Sequence, residues 1–168
     1  ISRSLRKVLR KQQFEIRFDT AFQQVIKACA DVRTEQGEGT WIIPEMQQAY
    51  TELHQEGFAH SVESWQDGKL AGGLYGISLG QCFFGESMFS TRNDSSKVAL
   101  AALAEFCREV GIKMIDCQMT TAHLLSLGAK EIRREVFLKK LKKHLEQPTL
   151  KGSWNSGSAS VKSNIFQN

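Results

Sequence analysis

The segment AHSVESWQDGKLAGGLYGISLGQCFFGESMFS, residues 59–90, divides into three short runs at two turn signals. QDGK separates AHSVESW from LAGGLYGIS, and a turn at Gly80 separates LAGGLYGIS from CFFGESMFS. Runs of β-branched and aromatic residues bounded by Gly and Asp read as strands, and three so closely spaced read as an antiparallel meander. The third run is apolar, aromatic or small except for Glu86. A carboxylate in a segment that otherwise reads as core is costly unless it is paired or opens onto a cleft.

The flanks supply helices. FEIRF (14–18) alternates like a strand, and Asp19 is placed to cap a helix reaching Val32, with Phe22, Val25, Ile26 and Cys29 as its buried stripe. Pro44 opens the next helix, which puts Met46, Ala49, Tyr50 and Leu53 on one face and stops at Gly57. After the meander, Asp94 or Ser95 caps a helix running to Glu109, striped by Leu100, Leu103, Phe106, Cys107 and Val110. KMIDCQ (113–118) reads as a strand and TTAHLLSLGA (120–129) as a short helix ended by Gly128. KEIRREVF (130–137) begins as a strand and passes into the basic amphipathic helix FLKKLKKHL (137–145). The order is βααβββαβα with room for a final strand. It resembles the GNAT (N-acetyltransferase-like) fold: an α/β (α+β) protein with a mixed, mostly antiparallel sheet flanked by helices. Likeness of fold carries no substrate with it.

Length and charge bound the function. A chain of 168 residues with 41% hydrophobic content is one domain with a real core. Residues 1–13 form a basic amphipathic helix, residues 14–147 the GNAT-like catalytic domain, and residues 148–168 a polar tail rich in Ser, Gly and Asn that reads as loosely ordered. The chain starts at Ile1 and reads as a fragment. It has no secretory signal and no apolar run near the roughly 20 residues that span a bilayer. Cys29, Cys82, Cys107 and Cys117 form no CxxC pair and read as reduced thiols of a cytoplasmic protein, with no metal site. The net charge of +4 is polarised. Arg3, Arg6, Lys7, Arg10 and Lys11 open the chain, and Lys139, Lys140, Lys142 and Lys143 lie near its end. In a helix over SRSLRKVLRK the first four of these cations share one face, opposite Leu5, Val8 and Leu9. Cations concentrated this way suit a polyanion, with nucleic acid first in line, or two solvated helix faces.

Alternation in strands gathers the polar candidates. In 82–90, Cys82, Phe84, Glu86 and Met88 share a face; in KMIDCQ, Asp116 and Gln118 do. In a GNAT-like sheet these are the fourth and fifth strands, which part from each other, so Glu86, Asp116 and Gln118 are expected to converge on one cleft. An acetyltransferase of that fold holds the coenzyme A pyrophosphate on a glycine-bearing loop after the fourth strand. Here that stretch is STRNDSSKVAL (90–100), with no glycine and with Asp94 where the pyrophosphate would lie.

GTWI (39–42), AYTELH (49–54), AHSVESW (59–65), GGLYGI (72–77), FGESMFS (84–90), SSKVAL (95–100), IDCQ (115–118) and HLLSLGA (123–129) occur in this order. Together they closely resemble the bacterial leucyl/phenylalanyl-tRNA–protein transferases, from Ser2 to Leu145. GGLYG alone is weak; FGESMFS followed by IDCQ and SLGA is specific. The family carries a small N-terminal domain ahead of the position matching Ile1. The resemblance implies transfer of leucine, phenylalanine or methionine from charged tRNA to the N-terminal Arg or Lys of a protein, marking it for degradation. It implies no cofactor, no DNA and no membrane. By resemblance, Gln118, Asp116 and Glu86 are catalytic, and Leu74, Met88, Leu100, Leu103, Cys107 and Ile115 line the aminoacyl side-chain pocket. Periodicity alone makes Leu100, Leu103 and Cys107 core. Trp41, Tyr50 and Ser87 match positions that contact adenosine or the acceptor peptide, although Tyr50 also suits helix core. Arg3, Arg6, Lys7, Arg10 and Lys11 supply tRNA phosphate contacts, and Lys139 to Lys143 can add to them. His60 and His123 read as structural or solvated, and Trp65 as core.

The chemistry is aminolysis of an activated ester. An α-amine has a pKa near 8, so about a tenth is free at pH 7 and modest help suffices. Gln118 is too weakly basic to be a conventional base. It orients the amine while Asp116 holds it, or Asp116 polarises it into a relay, or the tRNA ribose assists. The competing classes are a peptidoglycan-type aminoacyl-tRNA transferase, a coenzyme A-dependent acetyltransferase and a non-catalytic RNA-binding module.

Overall fold

The computed structural model describes residues 3–35, 37 and 39–155. In chain order the elements are α1 (Arg3–Arg10), β1 (Glu15–Phe18), α2 (Phe22–Glu35), α3 (Pro44–Gln55), β2 (Ala59–Gln66), β3 (Lys69–Leu79), β4 (Cys82–Ser90), α4 (Ser95–Val110), β5 (Met114–Asp116), α5 (Ala122–Ser126) and α6 (Arg134–Leu145). The described strands form one sheet in the order β1-β2-β3-β4-β5. The first four are antiparallel; α4 carries the chain across to β5, which pairs with β4 in parallel. The expected meander is therefore present, and the sheet is mixed.

Each face of the sheet buries one layer. Leu5 and Leu9 of α1, Val98, Leu103 and Phe106 of α4, and Leu74 and Phe83 of the sheet form one core. Phe22, Val25 and Ile26 of α2, Tyr50 of α3, and Tyr75 and Phe89 of the sheet form the other. Neighbours Leu74 and Tyr75 fall on opposite sides, as alternation requires. Glycine at 72 brings α4 close: a Cβ there would collide with the Ser95 side chain, whose hydroxyl donates to the Ala71 carbonyl at 2.8 Å.

Alternation fails at two bulges among the described strands: at Ala71, the extra residue of β3 opposite Ser64 and Trp65, and at Glu86. Tyr75 pairs with Ser87 and Gly76 with Gly85, so Glu86 is the extra residue of a β-bulge. Phe83 lies in the α4-side core while Phe89, six positions on, lies in the α2-side core. The expected shared face of Cys82, Phe84, Glu86 and Met88 therefore does not exist. Phe84 pairs with Ile77 of the α2-side layer, whereas Met88 packs on the α4 side.

Other expectations need correction. Residues 130–133 form no strand; α6 starts directly at Arg134. Asp19 does not cap α2. It sits at φ 55°, and its carboxylate accepts from His60 Nδ1 at 2.9 Å, from the Ser61 N–H at 2.9 Å and from the Trp154 N–H at 2.7 Å. Trp154 is only 2% exposed, stacked on His60 with ring centroids 3.8 Å apart. The tail is thus pinned into the core at least as far as Trp154, and its residues 156–168 lie outside the described residues. Trp65 is half-buried rather than core, with the Arg17 guanidinium 4.4 Å over its ring. Asp94 caps α4 without a side-chain bond to it; its carboxylate pairs with Lys97 at 2.6 Å. No described helix is long and apolar enough to cross a membrane.

Candidate active site

The site begins where two strands stop pairing. β4 and β5 share three rungs, Cys82–Met114, Phe83–Ile115 and Phe84–Asp116. β4 then continues to Ser90 while the chain after Asp116 turns away. Gln118 makes that turn at φ 59°, an uncommon value for a residue with a Cβ. It is held there by Asp116, whose Oδ1 accepts the Gln118 backbone N–H at 2.9 Å. A side chain that fixes the backbone two residues on leaves the Gln118 amide free to meet something else.

Asp116 and Gln118 line one cleft of about 970 Å³, within the range of ligand sites. Its apolar wall comes from Leu100 and Ala104 of α4, Ile115 of β5, Leu124 and Leu127 around α5, and Phe137 of α6. Met119, Leu125 and Ile132 stand exposed on its rim, and Lys130, Glu131 and Arg134 add charge to it. α5 is positioned by its own cap, Thr121 accepting from the Leu124 N–H at 3.1 Å. The arrangement can hold an apolar group beside an amide and a carboxylate. Among the described residues no three His, Cys, Asp or Glu side chains gather as a metal site requires.

The sequence candidates divide. Leu100 and Ile115 reach the cleft; Leu74, Leu103 and Cys107 are buried behind it, and Met88 is half-buried against the same core. Burial pushes the Cys107 thiol up to about 12, so it offers an apolar wall and no nucleophile. Glu86 does not join Asp116 and Gln118. The bulge turns it toward α3, where burial and then the Glu86 carboxylate push the Tyr50 phenol up. Tyr50 is 8% exposed and belongs to the core; its ring meets Tyr75 edge-on at 5.3 Å and Trp41 at 6.2 Å. Trp41 is 41% exposed, and Ser87 is buried beside Cys29. So two groups flank the parted strands: Asp116 and Gln118 in the cleft, and Glu86 with its aromatic neighbours. His60 is buried on Asp19, away from both.

Arg6, Lys7, Arg10 and Lys11 are exposed on and just after α1, which packs on α4 through Leu5 and Leu9; the Arg3 side chain lies outside the described residues. Sequence reasoning missed Leu124, Leu127 and Phe137 as cleft wall, and Lys130, Glu131 and Arg134 at the charged rim. The available signal was SLGA, a helix stop after which the chain runs along the same cleft as β5.

Residues 1–142 match the profile of a family described as leucyl/phenylalanyl-tRNA protein transferase. A curated protein of that name from Desulfatibacillum aliphaticivorans is 59% identical over 155 residues, covering 92% of this chain and 66% of the relative. One from Aromatoleum aromaticum is 58% identical over 166 residues, covering 99% of this chain and 70% of the relative. The chain thus spans about two thirds of the length of these relatives. Among solved structures, an aminoglycoside acetyltransferase from an uncultured soil metagenomic sample aligns with a TM-score of 0.56 at 15% identity, over 73% of this chain and 93% of its own. A possible acetyltransferase from Clostridium difficile 630 gives 0.54 at 12% identity, over the same shares. At such identity the likeness is of fold alone, and the fold is GNAT-like.

Proposed function

The chain belongs to the leucyl/phenylalanyl-tRNA–protein transferase family, and from that premise we propose that it moves leucine, phenylalanine or methionine from an aminoacyl-tRNA to the N-terminal Arg or Lys of an acceptor protein, marking that protein for degradation. The observation that carries this reading is the Asp116–Gln118 turn at the mouth of an apolar cleft. The aminoacyl side chain lies against Leu100 and Ile115. Apolar fit discriminates by roughly 1–3 kcal/mol per methylene, which admits three long, Cβ-unbranched side chains together.

The acceptor's neutral α-amine attacks the ester carbonyl. A C–N bond forms, the C–O bond to the ribose breaks, and the amine's proton ends on the leaving ribose oxygen. The Gln118 amide oxygen accepts an N–H of the amine and sets its approach, a gain of orientation rather than basicity. Asp116 acts on Gln118 through the backbone N–H, not the amide. That favours the orienting role over a relay through the side chain, and leaves the proton's route to the ribose. Glu86, held beside Tyr50, draws the acceptor's cationic side chain, and exposed Trp41 offers a face for stacking on adenosine or peptide. The α1 cations meet tRNA phosphates. No coenzyme A takes part: Asp94, tied to Lys97, occupies the approach to the start of α4.

The test mixes the protein with radiolabelled leucyl-tRNA and a peptide beginning with Arg, without coenzyme A. Label on the peptide's α-nitrogen is the expected result. Label that stays on tRNA, or appears only when an acyl-coenzyme A is added, would refute it.

A further inference from the structure

α6, like the short α5, lies on the surface. None of its residues is buried, and Leu138 and Leu145 are 46% and 43% exposed. Its first turn belongs to the cleft, which Arg134 and Phe137 line. Its other end is tied to the β3–β4 turn, where the Gln81 N–H donates to the His144 carbonyl at 3.0 Å. Twelve residues make a rail about 18 Å long, leading from the cleft's rim outward.

That rail is cationic. Lys130, Arg133 and Arg134 lead into it, and Lys139, Lys142 and Lys143 fall at helical spacing on one exposed face, with Lys140 beside them. The nearby acids are Glu131 and Glu135, with Glu146 at the C-terminal end of the helix. Several cations elsewhere meet carboxylates: Arg17 with Glu15, Lys27 with Asp31, Lys97 with Asp94, Arg108 with Glu105. Among the described residues no such pair within 4.0 Å forms in the 130–145 segment. No residue of α1, the other basic helix, lines the cleft. Among the described residues, a run of cations without such a pair thus continues from the cleft's rim along α6.

We infer that α6 binds the donor's RNA: Lys139, Lys142 and Lys143 contact backbone phosphates of the nucleotides next to the 3′ end, while Lys130 and Arg134 guide the terminal phosphate into the cleft. The assignment rests on the aminoacyl-tRNA reading above. Lysines at helical spacing act as point charges that fix register without reading sequence. A lipid surface is the other polyanion a basic amphipathic helix can meet, but α6 carries no Trp or Tyr anchor and turns its Phe137 into the cleft.

The test is a triple variant, Lys139→Gln, Lys142→Gln and Lys143→Gln. These side chains are exposed, so the fold is kept and circular dichroism checks it. Each lost phosphate contact lowers the slope of log K against log salt by about 0.9. We expect tRNA affinity to fall about tenfold or more at 0.15 M salt and the slope to drop by about 2–3. The KM for leucyl-tRNA should rise while kcat with a short leucyl-adenosine donor stays unchanged. An unaltered slope and KM, with the wild-type protein transferring leucine, would make α6 a solvated face and overturn the assignment. Loss of binding to phosphatidylserine vesicles with tRNA affinity intact would overturn it in favour of a membrane. If the wild-type protein transfers nothing but the variant still loses tRNA affinity, the α6 assignment stands and the transfer reading falls.

Discussion

The carboxylate of Asp116 accepts the backbone N–H of Gln118 at 2.9 Å, and Gln118 lies at φ 59°. A residue with a Cβ held in the left-handed region costs of order 1 kcal/mol or more and persists where the surroundings impose it. Gln118→Gly should therefore be neutral or stabilising by up to about 1 kcal/mol in urea denaturation, while turnover with leucyl-tRNA falls by at least about tenfold and tRNA affinity stays within twofold. Asp116→Asn keeps an acceptor oxygen and should preserve the turn; a loss of kcat with unchanged stability would assign a role to the charge itself.

Leu100 and Leu103 lie one turn apart on α4 but should answer differently. Leu100 is a cleft wall and Leu103 is 1% exposed in the core. Leu103→Ala should cost about 2–5 kcal/mol of stability, as buried leucines do. Leu100→Ala should cost less stability and lower kcat/KM for leucyl-tRNA by roughly 10–200-fold. Equal thermodynamic losses at the two positions would place Leu100 in the core.

Trp154 is the residue through which the tail enters the fold. Its ring stacks on His60, and its backbone N–H, which alanine would keep, shares the Asp19 carboxylate with that histidine. Trp154→Ala should destabilise by about 3–5 kcal/mol by thermal or urea melting. A change under about 1 kcal/mol would mean that the ring is not packed in solution.

Glu63 gives a pH signature. It is wholly buried, and burial raises its carboxyl above the ordinary range against the pull of hydrogen bonds from Ser61 and Thr20. A carboxyl raised in the folded state stabilises that state when protonated. Its contribution is full below the unfolded pKa, declines as pH rises through the folded pKa, and is a constant penalty above it. Glu63→Gln should flatten stability against pH between the unfolded and the raised folded pKa and leave the variant relatively more stable above them. A variant whose pH curve parallels the wild type would show that Glu63 is not the group responsible.

Much of this was legible in the sequence because periodicity and turn chemistry agree there. The 59–90 meander, the α2 and α4 stripes and the Pro44 helix start follow from strong local signals. Glu86 did not, because face assignment in a strand assumes an unbroken register. Gly76 and Gly85, paired across β3 and β4, were the available hint of a bulge. The Asp19 cap failed because a buried histidine and a distant backbone N–H outcompeted the helix start for its oxygens. Trp154 was hidden by its surroundings: a single tryptophan in a Ser- and Gly-rich tail carries no period. The KEIR strand failed because the described sheet ends at β5 and offers residues 130–133 no partner strand.

The central claim is that the cleft at the parting of β4 and β5 receives the aminoacyl end of the donor. Its most direct test is a crystal structure with a puromycin-like aminoacyl-adenosine mimic. The mimic's side chain should lie against Leu100 and Ile115, with its carbonyl carbon within reach of an amine hydrogen-bonded to the Gln118 amide. A mimic bound on the Trp41 side of the sheet with the Asp116–Gln118 cleft empty would contradict the account.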